Sequence, residues 1–513
     1  MAGGEIEARE KKMKNFFAKK YFKRIAGETA ADLAARLIAL LFVIVFVLLS
    51  FSRHAALKSY LNDLGTYDQV VWNTLHGHFF DNSSNMLGER NYLGSHFSPI
   101  LLLFVPFYAI VASPRWLLFF QAFAVGASAF FIFAFAKENL KKVSLALVFL
   151  LSYLLNPYLH NGLLYDFHEV VFAVFFSAGA FYFLEKRNNK LFILFAIFLA
   201  LCQEHTALLI FMMGVYAIIS QKRYKLGLAT CAASFGYFLL TMLAFMPRFS
   251  ATGNPSLISN SSSYPLRYSW LGKGLGEIAK NILFHPLMIV KFMLSGDRPK
   301  YLFSLIAPVF SLGLFSWPII IIFPMICINL LSSLSLTYSV FFYHSAIFIP
   351  FIYFSAIITF KRWFLGNRNM EIFFSAAILI FSFFCFYAYS AVPLAAMNSK
   401  LNEFLPSENA KKIEMIKSMI PADASISVQH NLGPHFSERQ GLYRFPLRVD
   451  DSEFVVLDRF DPYAGSKTFD FQYALQVDAA EYQSNIEKLK ASLNFEVFFD
   501  DGEYLIFKRV KTK

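Results

Sequence analysis

Apolar runs close to the length of a bilayer crossing dominate this chain. They fall at residues 33–50, 115–136, 143–158, 169–185, 190–203, 205–220, 226–246, 301–316, 318–336, 345–360 and 371–393. A hydrocarbon core about 30 Å thick takes roughly 20 helical residues to cross, so the pattern predicts eleven membrane helices. The intervening segments sort by charge. KENLKK, EKRNNK and QKRYK, with Lys361, Arg362 and Arg368, are basic, whereas NPYLHNGLLYDFHE and the break Gln203-Glu204-His205 are not. Lys and Arg collect in cytoplasmic loops, which places the basic loops inside together with the basic residues 1–32. This arrangement requires that residues 99–113 not cross. Roughly 14 helical residues between Pro99 and Pro114 rise only about 21 Å, short of the core thickness. They are expected as a re-entrant or juxtamembrane piece of a large outer loop, 52–114. A second outer loop, 247–300, is rich in Ser and Gly and reads equally as a lid or a connector. The break at 203–205 is expected to join two helices at the outer interface, because a charged pair in mid-bilayer is costly.

Past residue 399 the pattern shortens. Residues 408–419 have helical periodicity, 425–428, 442–445 and 454–457 read as strands, 481–493 as a helix, and 496–508 as a hairpin turning at Asp501-Gly502. The fold class is therefore a polytopic α-helical membrane protein, 33–398, with a small extracytoplasmic α/β domain, 399–513, and a cytoplasmic N-terminus. The terminal domain has neither a phosphate loop nor a zinc spacing, which points to capping or acceptor contact.

Composition strengthens this picture. Charged residues are held to 16% against 57% hydrophobic and 18% aromatic, where soluble domains carry about 25% charged. The net charge of +12 sits largely in the short loops, as a topology signal, with no basic stripe for nucleic acid. Cys202, Cys231, Cys327 and Cys385 lie in or beside apolar runs, without the spacing of a disulfide framework or thiolate metal site.

Candidate chemistry concentrates in residues 51–116, which hold Asp63, Asp68, His76, His78, Asp81, Glu89, Arg90 and His96. The topology adds Asp166-Phe167-His168-Glu169 and Glu204-His205 at the same face. Any one of these could merely cap a helix at a wet interface, but three such clusters on one face point to a single cleft. Two chemistries fit. In one, a carboxylate takes the proton of an attacking hydroxyl while cations hold a phosphate leaving group. Asp63 suits the base, ahead of a helix predicted over 67–76, and Arg90, Arg267, Arg298 and Lys300 are outer cations suited to phosphate. In the other, His96, His168, Glu169, Glu204 and His205 gather a divalent metal from separate segments, with no HExxH spacing. His76 and His78 flank Gly77 at a helix end, where a histidine can serve only the helix dipole. Tyr343-His344 opens a helix at the outer face and can reach the cleft.

NDLGTYDQVVWNTLHGHFF, GSHFSPILLLFVPFY, LLNPYLHNGLLYDFHEVVF, the Gln203-Glu204 break, YHSA from Tyr343, and IPADASISVQHNLGPHFSER together resemble the membrane-protein family catalogued as domain of unknown function 2079. The likeness runs from about Ser52 to Lys508 and names no reaction. That family in turn resembles the GT-C superfamily of membrane glycosyltransferases, which take a sugar from a polyprenyl-phosphate lipid. The resemblance implies a seven-helix N-terminal module, a first outer loop with a catalytic Asp, and often an outer C-terminal domain. In many such enzymes the Asp opens a helix ending about 14 residues later near a Gly, which lands on Asp63 and Gly77, with Asp68 the second candidate. The sequence departs from lipid A-modifying and protein-modifying relatives in having Leu64 after Asp63 where they have an Asp-Glu pair. It also has Ser95-His96-Phe97-Ser98-Pro99 where they often have Lys-Pro-Pro, which makes His96 the substitute for phosphate contact. The implied enzyme works in the bilayer of the cell membrane with a polyprenyl-phosphate-linked sugar and an unspecified acceptor. Arg90, His96, Asp166, His168, Glu169, Glu204, His205 and His344 would bind substrate or phosphate, and His96, His168 and Glu204 are the candidate metal set. Rival readings are a transporter or lipid flippase, and a sensor with its specific cluster at 429–439.

Overall fold

The computed structural model describes residues 30–84, 90–251, 253, 267–272, 275–395, 397, 401–459 and 479–510. Most of the basic N-terminus, Glu89 and much of the 247–300 loop lie outside the described residues.

Helix α1, Ala30–Ala55, has two faces. Ala35, Ala39, Phe42 and Phe46 are buried at helical spacing, while Leu33, Leu37, Leu40, Leu41, Ile44 and Leu48 are exposed. An apolar stripe inward and a second apolar face outward is how a helix sits between a protein core and lipid. It is followed by α2, Thr66–Leu75, ended by Gly77 at φ 86°, and then by α3, Arg115–Leu140. Residues 99–113 form only two short turns, Pro99–Leu103 and Val105–Tyr108, as the topology requires. Helices α4, Val143–Leu154, and α5, Pro157–Leu164, are bent by 40°. Pro157 cannot continue the hydrogen-bond ladder, and Asn156 caps the new helix by accepting from Tyr158 N–H at 3.0 Å. Then come α6, Glu169–Glu185, α7, Asn189–Cys202, α8, Thr206–Ile219, and α9, Tyr224–Leu240. Later in the chain stand α10, Ile349–Trp363, and α11, Arg368–Tyr389.

Among the described residues five stretches are long and apolar enough to cross a membrane: Asp32–Ala55, Arg115–Leu140, Tyr224–Phe249, Ser335–Trp363 and Arg368–Tyr389, with the bent α4–α5 pair a sixth. Eleven full-length spans are thus not reproduced. Helices α7 and α8 have 14 residues each, a rise of about 21 Å. The expected span 301–316 is broken where Phe310 and Ser311 take left-handed backbone, leaving Arg298–Ile306 and short turns. The stretch Ser335–Trp363 is 78% buried and forms the bundle centre, whereas Asp32–Ala55 and Arg368–Tyr389, at 28% and 22%, form its rim.

The terminal domain carries β1, Ile426–Val428, β2, Leu442–Arg444, β3, Phe454–Asp458, helix α12, Ala479–Ala491, and the hairpin β4, Phe495–Asp500, with β5, Tyr504–Arg509. The sheet order is β2-β1-β3-β5-β4. β1 runs parallel to β2 and β3, and β5 antiparallel to β3 and β4, with Val456 opposite Ile506. Alternation along β3 sends Val455 and Leu457 to the α12 side and Phe454 and Val456 to the other. That second core is completed by Leu57 and Leu61 of the membrane domain. Docking is further held by Leu61 N–H donating to His430 O at 2.9 Å and by the Arg53–Glu403 ion pair.

Gly433 marks the tightest point of this seam: a Cβ there would lie 2.7 Å from Leu61 Cδ1 and 2.9 Å from Cγ. Gly433→Ala is therefore expected to overpack the seam by about 1–3 kcal/mol. A lower melting temperature and faster proteolytic release of the terminal domain would show it; unchanged melting would refute this docking.

Candidate functional site

Asp63 lies in one wide helical turn, Leu61–Gly65, that leads directly into α2. Leu61 and Leu64 on either side are fully buried and fasten the turn, while the Asp63 side chain stays 18% exposed. A carboxylate set between two buried anchors is held in place yet reachable.

Facing it is Tyr165-Asp166-Phe167-His168. Asp166 has left-handed backbone, φ 82°, at a cost on the order of 1–3 kcal/mol for a non-glycine residue. Three hydrogen bonds hold it there. Tyr60 N–H donates to Asp166 Oδ2 at 2.8 Å, Gln121 Nε2 donates to the Asp166 carbonyl at 2.9 Å, and His168 N–H donates to Gln121 Oε1 at 2.6 Å. Burial, and then the nearby Asp63 charge, push the Asp166 carboxyl well above the usual range. The turn delivers His168 Nε2 to 3.1 Å from Asp63 Oδ1. The imidazole stacks on Tyr343 with ring centres 3.4 Å apart, and its Nδ1 has no hydrogen-bond partner among the described residues.

One residue on, Glu169 heads α6 and is buried, accepting from Tyr92 OH at 2.9 Å and Ser98 OH at 2.7 Å. Helices α7 and α8 meet at Gln203-Glu204-His205 as two helices, which leaves the polar break at their junction. Glu204 Oε2 accepts from Phe97 N–H at 3.0 Å, and Oε1 lies 3.3 Å from His96 Nδ1 and 3.9 Å from His205 Nδ1. Burial works to raise Glu204, but the charge of His96 and the hydrogen bonds of His205 and His96 outweigh it and hold the carboxyl well below the usual range. The converse holds for His96, which burial would lower and Glu204 keeps above its ordinary value. This is a buried carboxylate paired with a half-exposed imidazolium.

Beyond that pair opens a cavity of about 330 Å³. Phe238, Leu239, Met242, Leu243, Met325 and Ile328 make apolar walls, and His96, Gln203, His205, Arg267, Tyr343 and His344 make a polar end. Arg267 Nε is buried there with no hydrogen-bond partner among the described residues. Tyr343 belongs both to this end and to the His168 stack, so it links the cavity to Asp63.

The remaining candidates stand elsewhere. Asp68 is wholly buried, accepting from Tyr108 OH at 2.6 Å and Ser437 OH at 2.6 Å, and so ties α2 to the terminal domain. Arg90 is 87% exposed, 3.8 Å from Asp81, on a different cleft from His96. Arg298 is engaged, donating to Leu330 O and Ser332 O at 2.7 Å each between the rings of Phe292 and Tyr338. His76 stacks on Trp72 with Nδ1 2.8 Å from the Trp72 carbonyl, in keeping with a helix-end role. The metal set His96, His168 and Glu204 is divided between two separate pairs. Among the described residues no three His, Cys, Asp or Glu side chains converge on one ion, so the donors do not fit a divalent metal. Tyr60, Tyr92, Ser98 and Gln121 were not picked out by sequence; Gln121 carried a signal, as an amide within an apolar span.

A family model described as predicted membrane protein (DUF2079) matches residues 53–494. The chain belongs to that family. No curated protein matches it. Among solved structures, ArnT from Cupriavidus metallidurans bound to undecaprenyl phosphate aligns over 93% of this chain and 98% of its own, at a TM-score of 0.53 and 12% identity. At that identity the likeness of this DUF2079 protein is one of fold.

The Asp68 carboxyl is pushed up to about 7, by burial first and the Glu438 charge second, against the Ser437 and Tyr108 hydrogen bonds. The folded chain thus holds this proton more tightly than the unfolded one, whose carboxyl titrates near 4. The stability it contributes is complete below about pH 4 and is lost as pH rises through about 7. Melting temperature is expected to fall between about pH 5 and about pH 8, and Asp68→Asn, whose amide can accept one of these hydrogen bonds and donate in place of the other, to flatten that fall. An equal slope in the variant would exclude Asp68 as its source.

Proposed function

We propose that this protein is a membrane glycosyltransferase of GT-C type, moving a sugar from a polyprenyl-phosphate lipid to an acceptor hydroxyl at the outer face of the cell membrane. The observation that carries the reading is the cavity: apolar walls for a prenyl chain end on a guanidinium and three histidines, and Tyr343 joins that end to the Asp63–His168 pair. An exposed transporter path has no need of a carboxylate oriented in this way. The undecaprenyl phosphate bound to ArnT, a protein of similar fold, supports the same reading.

Asp63 acts as general base. A proton on His168 Nε2 donates to Asp63 Oδ1 and fixes the carboxylate, leaving Oδ2 for the acceptor hydroxyl. As that hydroxyl loses its proton to Asp63, its oxygen bonds to the anomeric carbon and the bond from that carbon to the phosphate oxygen breaks. Polyprenyl phosphate leaves with the electron pair. Arg267 and the protonated His96 take up the charge on the departing phosphate, Arg267 through a donor that has no other partner among the described residues. Glu204 keeps His96 charged, and Gln121 and Asp166 position His168. Asp68 is a domain tether in this scheme, and Arg90 faces the second cleft.

A strain lacking the protein is expected to accumulate one polyprenyl-phosphate sugar, which the wild-type chain clears. Asp63→Asn should slow clearance about 10²–10⁴-fold, the usual worth of a general base, while purified protein still binds undecaprenyl phosphate. Full clearance by a correctly inserted Asp63→Asn protein would rule out this base. Arg267→Gln should weaken undecaprenyl phosphate binding about tenfold or more, as expected for a lost charged hydrogen bond; unaltered binding would move the phosphate out of this cavity.

A further inference from the structure

A second cleft, about 520 Å³, opens between the first outer loop and the terminal domain. Asn73, Asp81 and Arg90 line it from the loop, and Asp423, Gln440 and Tyr443 from the domain. Asn73 is 1% exposed. Its Nδ2 donates to the Asp81 carbonyl at 2.9 Å, which fixes the amide, and its Oδ1 has no hydrogen-bond partner among the described residues. A buried acceptor left unmatched on a cavity wall costs about 1–3 kcal/mol and calls for a ligand donor. The formal charges lining the cleft balance, Arg90, Arg444 and Arg448 against Asp81, Asp423 and Glu453, with Arg90 beside Asp81 and Arg448 donating to Asp451 at 2.7 Å while covering one face of Tyr443. An anion gains little from such a surface. Carboxylate and amide acceptors interleaved with guanidinium and amide donors suit hydroxyls, each of which both donates and accepts.

We infer that this cleft binds a neutral oligosaccharide, the acceptor of the transfer reaction. The inference rests on the glycosyltransferase reading for the word acceptor, but the binding chemistry stands on the cleft itself. Asn73 lies ten residues beyond Asp63 along one nearly continuous helical stretch, about 15 Å at 1.5 Å per residue. A ligand seated at Asn73 that presents a hydroxyl to Asp63 must span that distance, so a chain of sugars fits and a single sugar does not.

The test uses the full chain carrying Asp63→Asn in lipid nanodiscs, probed against an array of neutral and anionic oligosaccharides and, separately, with undecaprenyl phosphate. Neutral oligosaccharides are expected to bind, monosaccharides not. Asp423→Ala with Tyr443→Ala, at exposed and half-buried positions of the rim, should weaken that binding about tenfold or more, roughly 1.4 kcal/mol, with undecaprenyl phosphate binding reporting an intact membrane half. No neutral saccharide bound, a preference for anionic glycans, or undiminished binding by the rim variant would each overturn the proposal. Because the Asp63→Asn background removes the base, this readout is independent of the transfer reaction. Transfer that proceeds with an unchanged acceptor KM in the rim variant would overturn the cleft while leaving Asp63 in place.

Discussion

The site depends on the backbone at Asp166. A non-glycine residue in the left-handed region is held there only by its surroundings: Tyr60 and Gln121 each donate to Asp166, and Gln121 also accepts from His168 N–H in the same turn. Tyr60 belongs to the first outer loop, Gln121 to a membrane helix, and His168 to the turn into α6. The strained residue therefore fixes the distance between the segment that bears Asp63 and the segment that bears His168. Its raised carboxyl fits this role. Burial and the nearby Asp63 charge both work against a second carboxylate charge at this point.

A second constraint comes from outside the membrane. The turn carrying Asp63 is part of the terminal domain's core through Leu61, and α2 is pinned to that domain by Asp68 and by Gln69, whose Nε2 donates to Arg439 O at 2.8 Å. The Asp63 loop is thus clasped between two bodies. Helical geometry carries the placement of one body to the other, so a shift of the terminal domain moves Asp63 relative to His168. Leu64, Tyr67, Val70 and Val71 pack this loop into the bundle core on its other side, so both bodies fix where the Asp63 side chain stands.

Much of this was legible in the residues. Length and charge placement predicted that 99–113 would not cross as a full helix, as its two short turns show, and the β-strand pattern after residue 399 located each described strand to within a residue or so. Asp63, His168, Glu204 and His96 stood out because ionisable groups are scarce near lipid. What could not be read is the pairing. Nothing in spacing tells that His168 meets Asp63 while His96 meets Glu204, nor that Asp68, five residues from Asp63, turns to Ser437. Those contacts are set by docking across hundreds of residues. The helix count failed for a related reason. Hydropathy reports burial away from water, and a buried stretch such as 301–316 is apolar whether it crosses as a helix or folds into turns around Phe310 and Ser311.

The distribution of polar groups through the bundle argues for a one-sided site. A transporter needs polar groups along its whole depth, with broken helices near the midplane. Here the buried polar groups within the bundle are mostly neutral and matched among themselves. Ser152 Oγ lies 2.8 Å from Tyr353 OH and 2.7 Å from Ser382 Oγ, and Ser128 lies 2.7 Å from Tyr153 OH. His160, packed against Phe42 and Phe46, has both ring nitrogens engaged by Ser390 and the Leu154 carbonyl. Hydroxyls that satisfy one another stiffen a helix bundle and offer a passing ion or headgroup nothing to exchange with. Among the described residues Arg267 Nε, His168 Nδ1 and Asn73 Oδ1 are unmatched around the candidate site and the second cleft, while Asn156 Nδ2, Thr241 Oγ1 and Ser375 Oγ are unmatched within the bundle. The ionisable groups, by contrast, gather in the Asp63–His168 and His96–Glu204 pairs beside an apolar cavity and under a docked domain, the arrangement that the proposed transfer between a lipid-borne group and an aqueous partner requires.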